Sequence, residues 1–373
     1  MDFTLSDDQA AIAELADTIL GEQCAPDALR ALEKAGTPFA AEAWKALAAA
    51  DLLGLALPAA VGGSALSIVE AGLVAQKVGR HVAPTPYWTS TAAALAVARW
   101  GSDDQGGAWL PGVADGSAPL AVAAWGPVET ADPDGRPGVR AAESGDPTDQ
   151  GGGWALHGTL SPVPWAGEAA ALVVAGDADD GPALFVVPLT GDGVTRTDER
   201  SINHEPAQTV VLDGARAERL RGGADAVEWL TRCTRALLAA TMLGVCEGAL
   251  ALTASHVTER QQFGSPIGTF QAVAHRCADA YIDTEAIRLT TLQALWQLGE
   301  GVEGADAVSI AAFWAADGGH RVVHAAQHLH GGIGVDVDYP VHRYFLWLKT
   351  IENTLGAATP QLVRLGARMA AEG

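Results

Sequence analysis

The strongest constraint in this sequence is a change of pattern that occurs twice along the chain. From about residue 224 onward, apolar residues recur at helical spacing over four long stretches, approximately 224–260, 269–299, 303–329 and 341–371. Helices of that length can bury their apolar faces only against one another or against another subunit. Between about 116 and 220, Gly, Pro and Asp recur every few residues. There, short apolar and β-branched runs at 171–174, 184–187 and 209–212 read as strands of a small sheet domain. Residues 1–115 are helical again, with short breaks. The expectation is an α+β chain in three segments: an N-terminal helical domain over 1–115, a central β-domain over 116–220 and a C-terminal four-helix bundle over 221–373.

Local signals place some of the elements. Ser6 and Gln9 have the spacing of a capping box, which starts a helix near Asp7. A second helix is expected over 39–50. Ser67 caps a third that reaches Val78, and another runs over 90–100. The stretch 130–153, dense in Asp, Gly and Pro, reads as a surface loop. No internal repeat or low-complexity tract is evident.

Composition excludes several classes of function. With 373 residues, 49% of them apolar and only 18% charged, the chain has enough material for a large buried core and is neither disordered nor fibrous. A formal charge of −22 repels phosphate polyanions, so nucleic acid is not an expected partner. Cys24, Cys233, Cys246 and Cys277 form no C-x-x-C pair, which fits a reducing, cytoplasmic setting with thiols as small core residues. Met1-Asp2-Phe3-Thr4 lacks the basic start of a secretory leader. The most apolar window, 236–252, carries Thr241 and Glu247 and is shorter than the roughly 20 residues a bilayer requires. It reads as a buried bundle helix, and no membrane span is expected.

Three constellations could carry chemistry. Around Arg260-Gln261-Gln262-Phe263-Gly264-Ser265-Pro266-Ile267, followed by Phe270-Gln271, an arginine fork suits a phosphate or pyrophosphate and Phe263 offers a flat apolar face. An ordinary salt bridge for Arg260 and a core position for Phe263 are the alternative. His328-Leu329-His330-Gly331-Gly332-Ile333-Gly334 ends a helix with paired glycines that let a ligand approach the backbone, or that act as a plain helix cap. His320, His324 and His328 lie at i, i+4 and i+8 over about 12 Å of helix, so one metal ion could take an adjacent pair but not all three. Solvated or interface histidines are the simpler reading there.

Taken together, these residues resemble the acyl-CoA dehydrogenases. The opening Phe3-x-Leu5-Ser6-x-Asp8-Gln9 is similar to the family's start, and Leu53-Gly54-Leu55-Ala56-Leu57-Pro58 with Gly62-Gly63 to its second landmark. Arg260-x-x-Phe263-Gly264-x-Pro266-Ile267 with Phe270-Gln271 resembles the third, and His330-Gly331-Gly332-x-Gly334 with Tyr339-Pro340 the fourth. The resemblance spans nearly the whole chain. It implies FAD as cofactor, an acyl-CoA thioester as substrate and an electron-transferring flavoprotein as acceptor. It further implies that Arg260, Phe263, Phe270, Gln271, Gly331 and Gly332 hold the adenosine and pyrophosphate part of an FAD bound mainly to a neighbouring subunit. His328 stands where most members have a glutamine and can still hydrogen-bond.

The family's catalytic glutamate, which removes the α-proton of the thioester, is missing from both of its usual places. Counting from Tyr339-Pro340 puts Leu355 at one, before Gly356; counting back from Arg260 puts Thr234 at the other. Glu352 is a weak substitute three residues before Leu355. The family's Thr-Glu-Pro-x-x-Gly-Ser-Asp type segment is replaced by Ala124-Trp125-Gly126-Pro127-Val128-Glu129-Thr130, and Trp165-Ala166 falls where a hydroxyl would contact flavin. What a subunit lends to its neighbour is kept, and what it needs for its own site is lost. That pattern resembles the base-less subunit of the actinobacterial α2β2 acyl-CoA dehydrogenases, many of which act on steroid side-chain thioesters. The expected partner is a second acyl-CoA dehydrogenase-like chain that carries the glutamate. Two alternatives are a self-sufficient homotetramer using Glu352 and a non-catalytic relic of the fold.

Overall fold

The computed structural model describes residues 3–36, 38–123, 138–144, 153–302 and 304–372. In chain order the helices are α1 (Asp7–Gln23), α2 (Pro26–Ala35), α3 (Ala41–Ala49), α4 (Ile68–Arg80), α5 (Tyr87–Trp100) and α6 (Asp103–Ala114). Strands β1 (Leu120–Ala123), β2 (Arg140–Glu143), β3 (Trp154–Pro164), β4 (Ala171–Ala178), β5 (Gly181–Pro188), β6 (Val194–Arg200) and β7 (Pro206–Arg219) follow. Then come α7 (Gly223–Glu259), the short strands β8 (Gln261–Gln262) and β9 (Ser265–Pro266), and α8 (Gln271–Gly299), α9 (Ala305–His330), α10 (Val341–Thr354) and α11 (Ala358–Glu372). The order of helices, sheet and long helices is the one the periodicity predicts.

Several boundaries differ from the sequence expectation for identifiable reasons. The last bundle helix, expected as one piece over 341–371, is two: the chain breaks at Leu355-Gly356-Ala357, where Gly356 and Ala357 take φ of 78° and 61°. A left-handed pair cannot continue an α-helix. Helix α2, not expected, has Pro26 at its start and a left-handed Gly36 at its end, the asymmetry that terminates helices cheaply. Helix α6 was hidden by Gly106, Gly107 and Pro111, yet its Ser102–Gln105 capping box matches that of Ser6–Gln9. Within the expected loop over 130–153, residues Arg140–Glu143 are strand β2; the segment 124–130 lies outside the described residues.

By packing, these elements gather into two compact units. The first comprises Met1–Ala43, Ile68–Pro84 and Arg235–Gly373, so the N-terminal helices α1, α2 and α4 share a unit with the bundle. Helix α9 is its spine and packs against α8, α10 and α11. Its buried face is built from small residues, among them Ala311, Ala312, Ala315, Ala316, Gly318 and Gly319, which lets neighbouring helices approach closely. Gly79 of α4 and Gly244 of α7 make a still closer crossing. A Cβ on Gly79 would lie 1.9 Å from the Thr241 carbonyl oxygen, and one on Gly244 would lie 1.7 Å from that of Gln76. The C-terminal part of α7 is long and apolar enough to suggest a membrane span, but 78% of its most apolar window is buried inside the protein.

The second unit comprises Trp44–Ser67 and Thr85–Thr234. Its seven strands pair in the order β1-β4-β2-β3-β7-β5, with β6 on β7, and β5 also pairs with β4, so the pairing closes on itself. The β4–β5 hairpin holds Ala171 opposite Pro188 and Ala178 opposite Gly181. Leu156, Leu160, Leu172, Val174, Phe185, Val187, Val210 and Leu212 fill the interior. Helix α5 is buried along nearly its whole length and packs on β1, where the Ser90 hydroxyl accepts the Leu120 amide at 3.2 Å.

Candidate functional site

The residues of the third landmark fold into a two-residue β-hairpin beyond the end of α7. Gln261 pairs with Pro266 and Gln262 with Ser265, leaving Phe263-Gly264 as the turn. Both turn residues have positive φ, 54° and 82°, the geometry that matches the twist of hairpin strands. Glycine adopts it freely, whereas for phenylalanine it costs conformational energy. The ring gains little inside the chain in return: Phe263 is 95% exposed and meets Phe270 edge to face at a centroid distance of 6.2 Å. The sequence alternative of a core phenylalanine is therefore excluded.

Arg260 is exposed just before the hairpin, with its carbonyl oxygen fixed by the Ile267 amide at 2.8 Å. Its guanidinium has no carboxylate partner among the described residues, so the ordinary salt bridge considered from sequence is absent there. Gln271 opens α8 and is exposed, and no side chain caps that helix. Its first amides and the helix dipole thus present positive potential beside Arg260 and Phe270.

The fourth landmark closes α9. His328 is exposed in the last turn and its carbonyl oxygen accepts the Gly331 amide. Gly331 and Gly332 are exposed, and a Cβ on either would meet nothing within 4 Å. Gly331 has φ of 61°, which explains a glycine there, but Gly332 has no positive φ. Nothing among the described residues requires a glycine at 332, which leaves its backbone open to an approaching group. Gln327, one residue from His328, donates from Nε2 to the Gly334 carbonyl oxygen at 2.6 Å and so folds the loop over.

A contact between His330 of the fourth landmark and His256, which no sequence motif includes, joins the two helix ends. His256, one turn before Arg260, stacks on His330, one residue before Gly331, with ring centroids 4.4 Å apart and planes 24° from parallel. Tyr339 packs on both rings at 5.3 and 6.4 Å. Burial, followed by the nearby Arg260 guanidinium, holds the His256 imidazole below its usual pKa, and burial does the same for His330. Two neutral rings can stack without charge repulsion. The stack thus ties the end of α7, which leads into Arg260, Phe263, Phe270 and Gln271, to the end of α9, which leads from His328 into Gly331 and Gly332, within one unit.

The positions expected to carry a base cannot do so. Leu355 is buried at the helix break, with its carbonyl oxygen accepting Gln361 Nε2 at 2.6 Å. Thr234 is buried and its hydroxyl donates back to the Leu230 carbonyl oxygen at 2.8 Å. Glu352 is committed elsewhere: Oε2 accepts Lys349 Nζ at 2.6 Å and Oε1 lies 3.5 Å from His320 Nδ1. His324 stacks on His320 at 4.2 Å, and no metal-binding cluster is present among the described residues. In the β-domain, Trp165 is fully buried at a φ of 62°. Beside it Glu205 is buried, its carboxyl pushed up to about 7 by desolvation, opposed by the Asn203 amide and the Trp165 indole. Asn203 Nδ2 donates to Glu205 Oε2 at 2.6 Å.

Comparison with known proteins fits this arrangement. Family models for the acyl-CoA dehydrogenase N-terminal domain and C-terminal domain match residues 6–117 and 221–370. Acyl-CoA dehydrogenase FadE27 of Mycobacterium tuberculosis is 38% identical, over 99% of this chain and 99% of its own. A variant of the Tcur3481-Tcur3483 steroid ACAD is 42% identical with a TM-score of 0.92, and covers 99% of both chains. The ChsE4-ChsE5 complex from Mycobacterium tuberculosis is 38% identical, also with a TM-score of 0.92 and 99% of both chains covered. FAD is the family's cofactor. The unpaired arginine, the exposed aromatic face and the open Gly332 backbone suit its pyrophosphate and adenosine. With both family models matched in order and the third and fourth landmarks brought together in space, the chain belongs to the acyl-CoA dehydrogenase family.

Proposed function

We propose that this chain is the base-less subunit of a heteromeric, FAD-dependent acyl-CoA dehydrogenase. It lends the adenosine and pyrophosphate contacts of FAD to a second acyl-CoA dehydrogenase-like chain, which supplies the catalytic glutamate. The observation that carries this reading is an asymmetry. Phe263, held at positive φ and 95% exposed, and Gly332, whose glycine nothing internal requires, present a surface with no use inside the chain. Meanwhile the two base positions hold a buried leucine and a self-bonded threonine.

Bound FAD would supply the hydride-accepting chemistry for α,β-dehydrogenation of the thioester, with the α-proton going to the partner's base. Arg260 supplies a planar fork for pyrophosphate oxygens, Phe263 and Phe270 an aromatic surface for the adenine, and Gln271 and His328 hydrogen bonds at its edge. Gly331 and Gly332 let phosphate oxygens come close to backbone amides. The kinship with a steroid ACAD and with the ChsE4-ChsE5 complex supports a heteromeric assembly and a steroid CoA thioester as substrate; the reading extends to an α2β2 enzyme acting on the steroid side chain in the cytoplasm, with an electron-transferring flavoprotein as acceptor. A self-sufficient enzyme using Glu352 is disfavoured by the Lys349 ion pair that occupies this carboxylate.

The test is acyl-CoA-dependent dye reduction by this chain purified alone and after co-expression with an acyl-CoA dehydrogenase-like chain from the same source that carries the glutamate. Activity only in the co-expressed sample supports the proposal, and equal activity alone refutes it.

A further inference from the structure

The loop between α9 and α10 carries Gly331 and Gly332 at one end and Tyr339-Pro340 at the other. Gln327 pins its near side through the Gly334 carbonyl oxygen. Its far side is gripped by helix α2, from the opposite end of the sequence. Arg30 Nη2 donates to the Asp338 carbonyl oxygen at 2.5 Å, and Arg30 Nε lies 3.5 Å from the Asp338 carboxylate. Glu33 accepts both Nε and Nη2 of Arg343 at 2.6 and 2.7 Å. Arg343 stands in the first turn of α10, three residues beyond Pro340, and is buried.

Arg30 and Glu33 are i and i+3 on α2, so one helical face reaches the loop at two points on either side of Tyr339-Pro340. A two-bond guanidinium–carboxylate pair fixes orientation as well as distance, because both groups are planar. Leu29 is the one residue of α2 buried in the core, so apolar packing alone does not account for how this helix is held. Between its two anchors the loop is exposed, and Ile333, Val335 and Val337 stand out from it.

We propose that Arg30 and Glu33, acting through Asp338 and Arg343, are positioning residues for the glycine loop. They hold the Gly331-Gly332 backbone where the partner-held FAD meets it. This inference rests on the proposed function and assigns α2 a part in that same site, although neither residue touches the cofactor.

The experiment uses the co-expressed complex, deflavinated and titrated with FAD while flavin fluorescence is followed. Variants Arg30→Ala, Glu33→Gln and Arg343→Lys are compared with Arg260→Ala. Amide hydrogen exchange of residues 331–340 is measured in the flavin-free complexes. Arg30→Ala removes only a partly exposed side chain and keeps the Arg343 pair, so it remains informative if Glu33→Gln fails to assemble. The expected result is faster exchange across 331–340 and an FAD dissociation constant raised about tenfold by Glu33→Gln, less by Arg30→Ala and Arg343→Lys. A Glu33→Arg/Arg343→Glu double variant should recover part of the affinity. Wild-type affinity and exchange in Arg30→Ala and Glu33→Gln, with affinity lost in Arg260→Ala, would overturn the positioning role alone. Wild-type affinity in Arg260→Ala as well would overturn the proposed function and this inference with it.

Discussion

His256 and His330 stack with ring centroids 4.4 Å apart, and this contact ties the end of α7, one turn before Arg260, to the end of α9, one residue before Gly331. His330 Nδ1 is bonded to the Ala326 carbonyl oxygen at 2.8 Å, and its ring is buried. Burial disfavours the charged form of both rings and at His330 outweighs the Ala326 bond, which favours it, so the joint is strongest with both imidazoles uncharged.

That dependence has a definite sign with pH. Both imidazoles are held below the ordinary value of 6.5, so below that pH the unfolded chain binds more protons than the folded one. Stability is complete above about 6.5 and falls as pH drops toward the folded-state values. Thermal unfolding followed by circular dichroism from pH 8 to pH 5 should show this loss in the wild type relative to a His330→Phe variant. His330→Phe keeps a stacking ring that cannot titrate and should flatten the slope.

Glu205 gives the opposite dependence in the β-domain. Its carboxyl is raised from 4.5 to about 7, so between those values the folded chain binds the extra proton and stability declines as pH rises. The full effect is at most about 3 kcal/mol. Glu205→Gln, which keeps the shape and an acceptor for Asn203, should be more stable than wild type at pH 8 and lose that advantage at pH 5. The check is a pair of denaturant titrations at the two pH values.

Gly332 separates binding from folding. A side chain there meets nothing within 4 Å and needs no unusual φ, so Gly332→Ala should leave the melting temperature unchanged or raise it slightly, by about 0.4–1 kcal/mol of stability. The bulkier Gly332→Val should fold equally well yet lower flavin retention by the co-expressed complex about tenfold or more. Flavin absorbance per complex, read beside the melting curve, checks both.

Glu352→Gln addresses the rival base directly. It should leave acyl-CoA-dependent turnover of the complex within about twofold of wild type while lowering stability by about 1–3 kcal/mol, because Lys349 loses its carboxylate partner. Loss of turnover by orders of magnitude would assign catalysis to this chain.

Much of this was legible in the sequence because it depends on local rules. The long apolar periodicities give α7, α8 and α9, and β-branched runs mark β4, β5 and β7. The break at Gly356-Ala357 was missed because apolar residues keep helical spacing across it, while the left-handed backbone is a tertiary outcome. Arg260, Phe263 and Gly331 were visible as motifs. The His256–His330 stack and the grip of Arg30 and Glu33 on Asp338 and Arg343 were not, since each joins residues far apart in the chain that no local pattern relates.

The most direct test of the central claim is the flavin content of this chain purified alone, of the co-expressed complex, and of that complex carrying Arg260→Ala and Phe263→Ala in this chain. The account predicts a colourless chain alone, a yellow complex, and a complex that assembles but loses its flavin when the two residues are removed. A yellow chain on its own, or a doubly substituted complex that keeps its FAD, would contradict it.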